Sequence, residues 1–99
     1  MPADVTMIEP TTRVTVSPRV YARAFGDEMV LLDFGVGEYF GLDPIGTEVW
    51  KRLEAGDPLL QIVDALVERY EVSRDDALRD VLALVSEMVD QGLVVAEAA

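Results

Sequence analysis

Met29-Val30-Leu31-Leu32-Asp33-Phe34, then Gly35-Val36-Gly37, then Glu38-Tyr39-Phe40-Gly41-Leu42, closed by Asp43-Pro44, is the stretch on which the reading of this chain turns. The first run is apolar except for Asp33, which suits a central strand covered on its core face. The two glycines supply the positive φ that a tight hairpin needs, so the chain doubles back into a further strand over Glu38 to Leu42. Asp43-Pro44 is a helix start, with Asp as N-cap and Pro at the first helical position. The texture thus changes from β to α at a single residue pair.

Working outward, Val20 to Phe25 alternates Val20, Ala22 and Ala24 with Tyr21, Arg23 and Phe25, the pattern of a strand with two unlike faces. Gly26-Asp27-Glu28 joins it to the central run as a turn. Val14-Thr15-Val16 is a further short strand candidate, stopped by Ser17-Pro18. Downstream, the first helix carries Ile45, Val49 and Leu53 on one stripe with Trp50 beside them, and stops near Gly56. Asp57-Pro58 repeats the start signal, and Leu59, Ile62, Val63, Leu66, Val67 and Tyr70 share one face of a second helix. Ser73 with Asp76 resembles a capping box, and opens a third helix that runs to about Gln91 before Gly92 stops it. Leu93-Val94-Val95 is a short closing strand.

Three short strands followed by three helices predict an α+β fold, winged-helix-like, with a three-stranded antiparallel sheet and the third helix set across it beside the third strand. Residues 1–12, with two prolines and no periodicity, are expected to be a mobile arm. Residues 13–95 form the domain, and 96–99 a tail.

Ninety-nine residues suffice for one domain, and a chain 51% hydrophobic can fill one core. No apolar run is long enough to cross a bilayer, and Met1 to Thr12 lacks the pattern of a secretory signal, so a cytoplasmic location without membrane partners is the expectation. The chain has neither Cys nor His, which removes thiolate chemistry, the commonest general base and the commonest zinc ligands. With 19 acidic residues against 8 basic ones the net charge is -11, which repels phosphate backbones.

Sites that chemistry might use are correspondingly thin. Asp75, Asp76 and Asp80 lie at a helix start, where the helix dipole favours acids, with no oxygen-rich loop of metal-ligand type around them. Ser17, Ser73 and Ser86 have no histidine to activate them and no nucleophile elbow. Gly35-Val36-Gly37 is too short for a phosphate loop, and Lys51, the only lysine, falls on the polar side of the first helix. The expectation is a protein that is not an enzyme, with no catalytic residue, no metal and no cofactor.

The third helix separates the binding modes that remain. A DNA-reading helix presents basic residues, whereas here Arg74 and Arg79 stand against Asp75, Asp76, Asp80, Glu87 and Asp90, so nucleic acid is excluded as a partner. Its apolar arc is also wider than one stripe. Leu78, Val81, Leu82, Val85 and Val89 make one face, and Ala77, Leu84 and Met88 extend it sideways past Val81. Two readings stand: the extension packs inside against the other helices, or it walls a groove facing the edge of the third strand. A peptide laid in such a groove would add a strand by backbone hydrogen bonds.

Met29 to Phe34, Gly37 to Asp43, Gly46 and Val49-Trp50 resemble, as a spaced pattern, the PqqD-like proteins. So do the spacing to Ile62-Val63 and Leu66, the acidic start of the third helix with Asp80-Val81, and the ending Gly92-Leu93-Val94. The resemblance covers roughly residues 20–95. It implies a winged-helix-like leader-peptide recognition element for ribosomally made, post-translationally modified peptides. Such a domain is non-catalytic and holds the precursor's leader as an antiparallel strand beside its third strand, in a cleft closed by its third helix. Carried over by position, the leader would pair with Tyr39, Phe40, Gly41 and Leu42. Its side chains would meet Val36, Tyr39, Ala77, Val81 and Leu84, with Arg74, Arg79 and Asp80 at the rim; alternation allows Phe40 and Leu42 to be core instead.

Within that resemblance, Tyr39-Phe40-Gly41-Leu42-Asp43 and the chain length look most like the separate leader-binding protein of lasso-peptide biosynthesis. There the partners are the precursor leader and a cysteine leader peptidase, followed by an ATP-dependent cyclase. The alternative is a peptide chaperone for a radical modifying enzyme in quinone-cofactor biosynthesis. A different class, a homodimerising module that pairs the same edge with itself, is the competing reading, and the expected state is a monomer or weak dimer.

Overall fold

A computed structural model describes residues 8–97. Its elements are β1 (Arg13–Val16), β2 (Val20–Phe25), β3 (Glu28–Asp33), β4 (Glu38–Leu42), α1 (Pro44–Glu54), α2 (Leu59–Arg69), α3 (Arg74–Asp90) and β5 (Val94–Glu97). The α+β architecture expected from the sequence is present. Strands β2, β3 and β4 form an antiparallel meander with β3 in the middle, and the three helices follow. Among the described residues no helix is long and apolar enough to cross a membrane.

The register of the meander sets its two faces. Leu31 pairs with Ala22 and Phe40, and Leu32 pairs with Tyr21 and Tyr39. Met29, Leu31 and Asp33 are buried, so this parity of β3 faces the helices, and the other parity faces outward. The turns use their glycines differently. Gly26 and Gly37 take the positive φ that the hairpins demand. Gly35 does not; the Arg19 guanidinium crosses it, where an added Cβ would lie 2.9 Å from Cζ.

The helices bury their stripes on the inner face. Val49, Trp50 and Leu53 of α1, Leu59, Ile62, Val63 and Leu66 of α2, and Ala77, Val81, Val85 and Met88 of α3 join Met29 and Leu31 in one core. Trp50, fully buried, supplies the largest single side chain there, worth several kcal/mol at ~25 cal/mol per Å². Ile45, first on the α1 stripe by periodicity, is exposed instead, beside the end of β4.

Helix punctuation largely follows the sequence. Asp43 caps α1 through Gly46 N–H at 2.7 Å, and Ser73 caps α3 through Asp76 N–H at 3.1 Å. The start of α2 is a correction. Pro58, not Asp57, is its N-cap, and no side chain caps it. The Asp57 carboxylate is held back by Arg52 of the preceding helix, 3.4 Å away.

The chain ends meet. Strand β1 pairs antiparallel with β5, Arg13 opposite Glu97 and Val16 opposite Val94, as a separate two-stranded sheet. The final strand thus runs two residues past Val95, into the expected tail. Of the expected arm, 1–7 lie outside the described residues. In 8–12, Thr12 and Glu9 close a turn by reciprocal hydrogen bonds, and Ile8 packs against the core.

Candidate functional site

Strand β4, like β2 an edge of the meander, pairs with β3 on one side only, and it is the edge to which the resemblance assigned the leader. Half of its backbone N–H and C=O groups therefore point away from the sheet, the template on which another strand can add. The Leu42 carbonyl at its end takes the Thr47 hydroxyl at 3.4 Å, so the free run is Glu38 to Gly41. Tyr39 is 76% exposed on the outer face, and Val36 is exposed in the hairpin before it. Phe40 and Leu42 are half-buried on the inner face and pack against the core, the position that alternation allowed. Gly41 is exposed and has nothing within 4 Å of where a Cβ would be, leaving the strand open to approach.

Of the two readings left open for helix α3, Ala77 and Met88 follow the one in which the apolar extension packs inside. Its buried stripe is Ala77, Val81, Val85 and Met88, while Leu78, Leu82, Leu84 and Val89 are half-buried on the two flanks. Ala77 and Val81, expected on the groove side, are thus fully inside the core. The arc's centre is fixed by what covers it, and α3 makes its close backbone approaches to α2 and β5, whereas β4 makes its own to β3 and α1. By helical spacing, Leu78, Leu82 and Val89 share one flank, and Leu84 lies on the opposite flank, next to Asp80.

The charged residues expected at the rim have partners within the chain. Arg74 pairs with Asp64 of α2, and Arg79 pairs with Asp76 one turn earlier at 3.1 Å. Asp80 is exposed and makes no ion pair among the described residues. The pKa of the Arg52 guanidinium in α1 departs from its ordinary value. It is raised, chiefly by its hydrogen bond to Glu48, against a smaller opposing effect of burial. No cluster of three or more acidic side chains poised to hold a metal occurs among the described residues. The arrangement offers hydrogen-bonding backbone and apolar side chains, the chemistry of peptide capture.

Sequence reasoning missed one feature. The outer face of the meander is itself apolar, with Tyr21, Phe25, Val30, Leu32 and Tyr39 around Arg23. The alternation in Val20 to Phe25 announced two unlike faces, but either parity could have been the covered one.

The comparisons with known proteins agree with this geometry. The family described as coenzyme PQQ synthesis protein D (PqqD) matches residues 28–94. Among solved structures, TbiB1 in complex with the TbiA(beta) leader peptide is similar at 34% identity, with TM-score 0.82, over 86% of this chain and 99% of that one. Lasso peptide synthetase B1 complexed with the leader peptide is similar at 31% identity, with TM-score 0.78, over 84% and 98%. No curated protein sequence matches.

Proposed function

This chain belongs to the PqqD family, and from that premise we propose that it is the leader-peptide recognition protein of a lasso-peptide pathway. The observation that carries the proposal is the unpaired edge of β4, Glu38 to Gly41, flanked by exposed Tyr39 and half-buried Phe40. A leader would add there as an antiparallel fourth strand of the meander, held by main-chain hydrogen bonds, with alternate side chains pointing inward and outward. Its inward side chains would meet Phe40 and a flank of α3. We assign the flank of Leu78, Leu82 and Val89, because three half-buried apolar residues line it, whereas the Leu84 flank leads directly to Asp80.

The chain itself supplies binding and positioning. It presents the precursor to a cysteine leader peptidase, after which an ATP-dependent cyclase acts on the released core. Of the two pathways that the sequence resemblance leaves open, lasso-peptide biosynthesis has the support of the similar lasso peptide synthetase B1 structure, and both similar structures hold a leader peptide. The absence of His and Cys favours a binding role over catalysis.

The test is calorimetric titration with the leader of the precursor encoded beside this chain. Binding of about -8 kcal/mol or better, a dissociation constant near 1 μM or below, is expected. No heat and no spectral change at roughly a hundred times that concentration would sink the assignment.

A further inference from the structure

Gly41 is the only glycine inside a strand among the described residues, and neither its backbone nor its neighbours call for one. Its φ is not positive, and nothing lies within 4 Å of where a Cβ would be. A glycine there weakens β4 and gives it no side chain to pack, and such a position often marks the close approach of something from outside the chain. The register locates what the missing side chain leaves open. Gly41 pairs with Val30 and shares its parity with exposed Tyr39, so the gap is on the outward side of β4's free edge. A hollow of about 380 Å³ lies over it, lined by Phe25, Val30 and Leu42 and by the acids Glu28 and Asp43.

The lining indicates the occupant. A strand added antiparallel to β4 sets the residue opposite Gly41 on this same side, where no cross-strand side chain meets it. A long side chain can therefore lie flat across β4 toward Val30. Phe25 and Val30 offer it apolar surface, and Phe25 is 59% exposed. Glu28 is exposed and has no ion-pair partner among the described residues, while one Asp43 carboxylate oxygen already takes the Gly46 N–H. Arg23, beyond Val30 in the same row, does not line the hollow. An acidic side chain would be repelled by Glu28 and Asp43, and an apolar one would leave Glu28 without a partner. A lysine or arginine suits the whole lining, its stem on the apolar residues and its charge beside the acids.

We propose that the hollow over Gly41 is a subsite of the peptide edge for a lysine or arginine of the bound leader, whose stem lies on Phe25 and Val30 and whose charge meets Glu28. The subsite fixes which leader residue stands opposite Gly41, and with it the register of the whole added strand. It rests on the assignment of β4 as the leader edge.

The experiment titrates the leader of the precursor encoded beside this chain into the unaltered protein, Gly41→Val and Glu28→Gln, with a thermal melt of each protein alone. Gly41→Val fills the hollow with a β-forming side chain, so it should melt no lower than the unaltered chain yet bind leader at least about tenfold more weakly. A second set of leaders has each lysine or arginine replaced singly by methionine, which keeps an unbranched stem without charge. One of those replacements should weaken binding by the unaltered chain at least about fivefold and make no further difference to Glu28→Gln. Leader held equally by all three proteins, or no replacement that couples to Glu28, would overturn the subsite and leave the leader edge standing. A chain that takes no leader at all would overturn the leader assignment, and the subsite with it.

Discussion

The carboxylate of Asp33, a residue only 1% exposed, accepts a hydrogen bond from the backbone N–H of Gly35 at 2.7 Å. The Asp33 carbonyl accepts the Gly37 N–H at 2.8 Å, so one residue closes both layers of the hairpin that delivers β4. Because side chains alternate, a slip of one residue there would turn Tyr39 inward and Phe40 to water. The lone acid of the apolar run is therefore a register pin. Asp33→Ala, which removes the acceptor of the Gly35 N–H, should cost about 0.5–1.5 kcal/mol in urea unfolding, and Asp33→Asn, which keeps an acceptor oxygen, clearly less. Equal stability of Asp33→Ala and the unaltered protein would refute the pin.

The two glycines of the same hairpin should respond differently. Gly37 has φ +72°, so Gly37→Ala should cost about 1–2 kcal/mol. Gly35→Ala meets only the tip of a flexible, exposed Arg19, which can swing away, and should cost under about 0.5 kcal/mol. Thermal melts of the pair decide; the reverse order would mean that Arg19 is held more firmly than its exposure implies.

Leader affinity should separate the two flanks of α3. Leu82→Asp is expected to weaken binding at least about tenfold by placing a charge against the peptide, while Leu84→Asp stays within about twofold. Both residues are half-buried, so circular dichroism must confirm folding first. The opposite ranking would move the peptide to the Leu84 side, the side expected from the sequence. Val81 is unsuitable for this purpose because its burial makes a charge there a folding defect.

Glu48 joins α1 to α2, accepting Arg52 Nε at 2.7 Å and Arg69 Nη1 at 3.4 Å. Glu48→Gln should lower stability by no more than about 1 kcal/mol, since both arginines are substantially solvated. The sign of the Arg52 shift fixes its pH behaviour. A raised pKa in the folded state contributes stability below the unfolded value and loses it only as pH rises through the folded one, far into the alkaline range. Arg52→Gln should therefore leave the shape of the stability profile around neutral pH unchanged; a new inflection there would contradict this assignment.

What the sequence disclosed was local. Asp43, Gly56, Ser73 and Gly92 mark helix ends because capping is decided within a few residues. Asp57 misled for the same reason, since its rival partner Arg52 sits one helix back and only the folded turn brings them together. The pairing of β1 with β5 was illegible because each segment is four residues long and the partners are some eighty residues apart. On α3 the apolar arc was visible in full. Its deepest line depends on where α2 and β5 press, and periodicity does not carry that.

The pairing of Arg13–Val16 with Val94–Glu97 bears on how the molecule is made. Strand β1 has no partner until Val94–Glu97 has left the ribosome, so the nascent chain carries it unpaired until the meander and all three helices have been made. The unpaired edge of β4 at Glu38–Gly41 is translated long before that zipper closes. Capture of a client can thus precede completion of the binder only if the meander and helices hold together unaided. Otherwise, the emergence of β5 is itself the event that arms the protein.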